Sequence, residues 1–341
     1  MSDVLRLGII GAGAIAQSYI KALETCPAAK LSAIADPRAD VAKAVAESAR
    51  CRSYGSHLEL IERHECDAII VCTPPSSHVE IALAVLEKGI PVLCEKPLST
   101  DVGTARSLCQ LAKDKGVTLA MASKFRYVDD LIRAKSIIAS GLVGDVILVE
   151  NTFASTVDMS RRWNSDPAIG GGGVLIDNGT HSVDIVRYLV GPVVEVMAVE
   201  GKRVQELPVE DTAALFMRTE GGADAHIDLS WSIDKEQDSY IRVYGSHGMV
   251  HVGWAGSRYR QLTGPEWISF GRGYDKIAAF RSQLLNFCNH IRNHEALLIT
   301  PQDALASVEV IQAAYQSLRQ GQWVKLRRPR AGGVVMQVAT A

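Results

Sequence analysis

Short runs of apolar, largely β-branched residues alternate with longer segments of helical spacing through the first third of the chain. The runs are Leu5–Ile10, Lys30–Ala35, Asp67–Cys72, Pro91–Cys94 and Val117–Met121. Between them, Ala14–Glu24, Ala39–Ser48, Ser76–Lys88 and Val102–Lys115 place apolar residues at helical intervals. Strand, helix, strand at this rhythm needs right-handed crossovers, hence a mostly parallel sheet covered on both faces. Ala68-Ile69-Ile70-Val71-Cys72 carries no polar alternate, as a doubly buried strand requires. A doubly wound α/β unit of the dinucleotide-binding (Rossmann) type is expected over residues 1–122.

The pattern changes after about residue 123. Ser123–Ala139 reads as one helix, and Gly141 and Gly144 punctuate the approach to a strand at Asp145–Ala154. From Val193 to about Leu262 strands succeed one another without helices between them. Asp211–Arg218 and Ala223–Trp231 flank Glu220-Gly221-Gly222, and Tyr240–Tyr244 and Met249–Val252 flank Gly245-Ser246-His247-Gly248, two hairpin signals. An antiparallel sheet in a separate α+β domain is expected over residues 123–326. Helices are expected at Lys276–Asn293 and at Pro301–Gln320, the latter opening on Thr300-Pro301-Gln302-Asp303, a cap followed by proline. The last helix can pack back on the first domain. Residues 327–341 read as a solvated tail.

Composition narrows the function. A length of 341 residues suits two domains, and 36 Lys+Arg against 38 Asp+Glu leaves a formal charge of −2, with no basic footprint for nucleic acid. No run approaches the ~18 apolar residues of a membrane span, and the N-terminus lacks the basic flank of a secretion signal. The seven cysteines are scattered without a CxxC pair, which is neither a disulfide framework nor a zinc cluster and suits a reducing cytoplasm.

Gly11-Ala12-Gly13-Ala14-Ile15-Ala16 is a G-x-G-x-x-A turn between the first strand and first helix. Gly11 would make the tight turn, Gly13 would leave room for a pyrophosphate, and Ala16 would let helix and strand close up. The N–H groups at Ala14 and Ile15 would then face the phosphates. Asp36 lies twenty residues beyond Ala16, at the end of the second strand. A carboxylate there binds ribose hydroxyls and repels a 2′-phosphate, which favours NAD; Arg38, able to stack on adenine or pair with that phosphate, leaves NADP open. Thr73-Pro74-Pro75 and Glu95-Lys96-Pro97 close two further strands, where ligands of such sheets bind. His78 follows closely, as either a surface histidine or a cofactor neighbour. Lys96 can stabilise negative charge on a bound hydroxyl or carbonyl oxygen.

The other dense signal is Gly170-Gly171-Gly172-Gly173, followed by a helix with Asp177, His181, Asp184 and Tyr188 on one stripe. Asp177 and His181, one turn apart, are either a structural pair or a carboxylate orienting an imidazole base. No third ligand with recognisable spacing accompanies them, so no metal site is expected. Together Gly11-x-Gly13-x-x-Ala16, Glu95-Lys96-Pro97 and Gly171-Gly172-Gly173 with Asp177-x-x-x-His181 resemble the family named for glucose–fructose oxidoreductase, myo-inositol dehydrogenase and the rhizopine-catabolism protein MocA. The resemblance runs from Leu5 to about Leu326. It implies a Rossmann domain joined to an open-faced, mostly antiparallel sheet that forms the interface of a homodimer or homotetramer, and a Lys96–Pro97 peptide that is often cis. It implies NAD(P)-dependent oxidation or reduction of a secondary alcohol in a sugar, sugar derivative or cyclitol. Lys96 would contact substrate and nicotinamide, while Asp177 and His181 would hold the substrate hydroxyl and take its proton. Phe125-Arg126-Tyr127 resembles the family's arginine-aromatic segment, which makes Arg126 a substrate-binding candidate. Arg161, Arg162 and Trp163, just before the glycine run, can reach a sugar with guanidinium or aromatic face, or form a surface loop. Asn178 departs from the family's usual apolar residue. Two alternatives stay open: NAD-dependent glycoside cleavage on the same scaffold, and a non-catalytic dinucleotide- or sugar-binding regulator.

Overall fold

The computed structural model describes residues 4–326, so the expected tail at 327–341 lies outside the described residues. Its first part runs β1 (Leu5–Ile10), α1 (Ala14–Leu23), β2 (Ala29–Ala35), α2 (Ala39–Ala49), β3 (Arg52–Tyr54), α3 (His57–Glu62), β4 (Ala68–Val71), α4 (Pro75–Glu87), β5 (Val92–Glu95), α5 (Val102–Lys115) and β6 (Leu119–Ala122). All six strands are parallel, in the order β3-β2-β1-β4-β5-β6. The order reverses between β1 and β4, and a crevice opens beyond the strand ends at that point. Leu7, Ile9, Ile70 and Leu93 pack with α1 on one face, while Ile69, Val71, Val92 and Cys94 pack with α4 and α5 on the other. That two-sided burial is why these strands read as unbroken apolar runs. β3 and α3 were not foreseen. Arg52-Ser53-Tyr54 is a three-residue edge strand, partly or fully exposed, without an apolar run to announce it.

The second part runs α6 (Asp129–Ala139), β7 (Val146–Ala154), the single turn α7 (Pro167–Gly170), α8 (Val174–Val190), β8 (Val193–Glu200), β9 (Thr212–Thr219), β10 (Asp224–Ser230), β11 (Ser239–Gly245), β12 (Gly248–Gly253), β13 (Ser257–Gln261), β14 (Ile268–Gly271), α9 (Lys276–Ile291), α10 (Pro301–Gln320) and β15 (Val324–Lys325). The single helix expected over Ser123–Ala139 is instead a 3-10 turn at Lys124–Tyr127 followed by α6, with extended Val128 between them. Both expected hairpins form, β9–β10 and β11–β12. The nine-stranded sheet has the order β14-β13-β12-β11-β7-β10-β9-β8-β15, antiparallel except for the parallel pair β7–β10. α8 and α10 cover one face of it. On the opposite face Leu148, Glu150, Phe216, Arg242, Tyr244 and His251 stay partly exposed.

α9 and α10 return to the first sheet's layers. Phe280 of α9 meets Tyr19 of α1 edge to face at 4.6 Å, and Val308 of α10 joins the core under α5. The crevice of the parallel sheet is thereby held against the N-terminal half of α8.

Candidate active site

The two halves enclose a cleft of about 1380 Å³. Its floor is the glycine turn. Gly11 has φ +96°, and a side chain there would strike the Cys72–Thr73 backbone at 2.8–2.9 Å, so only glycine passes between β1 and β4. At Gly13, by contrast, an added Cβ would meet nothing within 4 Å. α1 starts at Gly13 without a side-chain cap and without an acidic residue in its first turn, although α5, α9 and α10 are capped by Asp101, Asp275 and Thr300. An uncapped positive helix end beside open space is the environment a pyrophosphate requires. Asp36, 4% exposed, closes the same end of the cleft. It accepts hydrogen bonds from the Ala12 amide at 2.9 Å and from Arg38 through the main chain at 3.0 Å and the guanidinium at 2.9 Å. Burial pushes the Asp36 carboxyl up, but these bonds outweigh it and hold the group below its ordinary range. The residues present therefore fit a dinucleotide.

Ala14, Ile15, Thr73, Pro74, Pro75, Glu95, Lys96 and Pro97 line the cleft as expected, and the Lys96–Pro97 peptide is cis. Arg161, Arg162, Trp163, Asp177, Asn178 and His181 line it from the other side. Two expectations are corrected. His78 neither lies on the surface nor faces the cleft: it is fully buried, with Nδ1 2.8 Å from the Pro97 carbonyl oxygen and Nε2 2.7 Å from that of Thr73. It braces the two loops that carry cleft residues. Arg126 does not reach the cleft either. Its side chain, 4% exposed, pairs with Asp184 at 2.7 Å and Asp303 at 3.3 Å and donates to the Leu298 carbonyl, tying the 3-10 turn to α8 and α10.

Asp177 and His181 share a helix face, but they are not paired. Asp177 Oδ1 accepts from Lys96 Nζ at 2.5 Å, and the same ammonium donates to the Asp177 carbonyl at 2.9 Å. An ammonium has three N–H bonds, so Lys96 keeps one for a ligand. His181 sits edge-on to Phe125 with ring centroids 5.0 Å apart, and its buried Nδ1 has no hydrogen-bond partner among the described residues. Burial, then the nearby Lys124 and Lys96 charges, depress its pKa well below the ordinary histidine value. The imidazole is neutral at pH 7 and able to accept a proton.

Two residues that shape the site had no signal in the sequence pattern. Glu210 accepts from the Gly173 and Leu175 amides and from Tyr315 Oη, at 3.0, 3.1 and 2.7 Å, and so seats the first turn of α8. The glycine run serves that seat, because a Cβ on Gly173 would overlap the Glu210 carbonyl group. The second is Lys124, on the cleft wall beside His181. Among the described residues no cluster of histidine, cysteine and carboxylates suits a metal ion.

Comparison with known proteins agrees with this geometry. Residues 5–123 match the family model described as an oxidoreductase family with an NAD-binding Rossmann fold, and residues 131–251 match the GFO/IDH/MocA C-terminal domain. The chain belongs to the Gfo/Idh/MocA family. It is 26% identical to the scyllo-inositol 2-dehydrogenase (NAD(+)) of Bacillus subtilis, over 97% of this chain and 99% of that one. It is 25% identical to the rhizopine catabolism protein MocA of Rhizobium meliloti, over 92% and 95%. A levoglucosan dehydrogenase solved with NADH and levoglucosan shares the fold, with a TM-score of 0.89 at 20% identity over 95% of this chain and 99% of that one. As a Gfo/Idh/MocA protein the chain is an NAD-binding oxidoreductase acting on CH–OH groups. None of its described helices is long and apolar enough to cross a membrane.

Proposed function

We propose that this protein exchanges a hydride between NAD and a secondary alcohol of a sugar or cyclitol, with His181 as the proton acceptor in the oxidation direction. The observation that carries this reading is the neutral, cleft-facing His181 beside Lys96, whose ammonium keeps a free N–H. The names of the inositol dehydrogenase relatives support the substrate class.

Gly13, Ala14 and Ile15 would hold the pyrophosphate and Asp36 the adenosine ribose. All four acceptor directions of Asp36 are occupied by Ala12 and Arg38, so ribose binding displaces the Arg38 guanidinium, which is 61% exposed and free to swing. Bound nicotinamide supplies the hydride acceptor. Lys96 donates to the substrate oxygen and stabilises alkoxide character, while Asp177 fixes the lysine rather than the histidine. His181 takes the hydroxyl proton as the hydride leaves carbon, giving ketone, reduced cofactor and one proton for release. A second copy of the chain is the partner suited to the open sheet face, where Phe216 and Tyr244 stand among polar neighbours.

The test is absorbance of reduced nicotinamide with NAD and NADP over cyclitols, sugars and sugar acids. Reduction of NAD by at least one of them is expected. A folded, dinucleotide-binding protein that reduces neither cofactor with any of them would refute the proposal.

A further inference from the structure

Lys124 lines the cleft, yet the mechanism above gives it no role. It opens the 3-10 turn that carries the chain from β6 into the second half. Its side chain is partly buried, and among the described residues its ammonium makes no hydrogen bond and no ion pair; it lies over the face of Phe125, 5.0 Å from the ring centroid. Both carboxylates nearby are engaged elsewhere. Glu95 accepts from Tyr19 Oη at 2.8 Å and from the Lys96 amide at 3.2 Å, and Asp177 holds Lys96. Lys276, Arg161 and Arg162 line the same cleft and form no ion pair among the described residues. Partly burying an unpaired cation costs free energy unless a ligand brings the opposite charge.

The geometry points to a substrate that carries a carboxylate, a sugar acid rather than a neutral polyol, with the anion on Lys124 and the reacting hydroxyl between Lys96 and His181. This rests on the dehydrogenase reading above and narrows it. One ammonium balances a monoanion; the second charge of a phosphoryl group would fall to Lys276, Arg161 and Arg162, all exposed to competing water. The pairing also serves the chemistry. Lys124 lowers the proton affinity of His181, and a carboxylate seated on Lys124 offsets that charge when the imidazole must accept a proton.

Burial and the adjacent Lys96 bring the Lys124 pKa down to about 8, against the pull of Glu95 and with a further push from Lys276. The charged and titratable groups facing it are Glu95 and Lys96 at the end of β5, Asp177 and His181 on α8, and Lys276 at the start of α9. Above about pH 8 the anchor loses its charge, so KM for an acid substrate rises there while KM for a neutral sugar does not.

The test uses matched series of hexose, uronic acid and 6-phosphate with glucose, galactose and mannose configurations, on the wild type, Lys124→Met and Lys124→Arg. Turnover is read with NAD, and binding by calorimetry on the NADH-loaded protein. The uronate is expected to exceed its neutral partner in kcat/KM or affinity by about tenfold or more, the scale of one charge-assisted hydrogen bond. Lys124→Met should lower that ratio by a similar factor and Lys124→Arg should retain most of it. The inference is overturned if no uronate binds or turns over, if the neutral sugar or the phosphate is preferred, or if Lys124→Met leaves the ratio intact. Neutral-sugar turnover without a uronate preference removes this inference alone. Lys124-dependent uronate binding without hydride transfer to any compound removes the dehydrogenase reading alone.

Discussion

The proposed role of His181 as base follows from where α8 places it, buried, beside two cations and unpaired at Nδ1. Replacing it with alanine should lower kcat by about 10²–10⁴-fold in steady-state assays while the NADH dissociation constant stays within about twofold. Its depressed pKa also sets the direction of two pH effects. The free enzyme keeps a neutral base below the ordinary histidine value, so the acid limb of kcat/KM for oxidation falls below about pH 6.5. In the unfolded chain this histidine binds protons more readily. Its contribution to stability is therefore fully present above about pH 6.5 and is lost as pH falls toward the folded pKa, which thermal midpoints across that range check. In the proposed function Asp36 sets the choice of cofactor in the same local way. With Asp36→Ser the repelling carboxylate goes and Arg38 loses its partner, so kcat/KM with NADP relative to NAD should rise about tenfold or more. An unchanged ratio would show that these two side chains do not set the preference.

α8 is the element on which the site depends, and Glu210 holds its start. Gly173→Ala places a methyl group against the Glu210 carbonyl, which belongs to backbone and cannot rotate away. A loss of more than about 2 kcal/mol in denaturant unfolding is expected, together with impaired turnover. Much of this level was legible from local pattern. The Gly11–Ala16 turn, the buried run of β4 and the Thr300 cap of α10 are short-range signals, and each formed where expected. What failed to show was non-local or weakly patterned. Lys96 and Asp177 are 81 residues apart, so the Asp177-to-His181 pairing suggested by helix spacing gave way to a partner from the other sheet. Arg126 resembled a substrate-binding residue because its motif does not reveal that Asp184 and Asp303 surround it. His78 could not be placed because its two carbonyl partners come from loops after different strands.

At the scale of the whole molecule, function lies between the two sheets. The parallel sheet offers an uncapped helix end and Asp36 to a dinucleotide, and α8 brings His181 and Asp177 to the crevice. The near-neutral composition conceals a local imbalance, since Lys96, Lys124, Arg161, Arg162 and Lys276 line a cleft in which Glu95 and Asp177 are already engaged. The outer sheet face predicts an oligomer in solution. Sedimentation equilibrium should report a dimer or tetramer, and Phe216→Arg, which places a charge on that face, should shift it toward monomer. A monomeric wild type would remove the second copy from the proposal. Hydride exchange itself is read from isotope transfer. The protein is incubated with NAD and its best substrate deuterated at the carbinol carbon, and the recovered cofactor is analysed. One deuterium at nicotinamide C4 for each ketone formed is predicted; ketone without label in the cofactor would contradict direct transfer across this cleft.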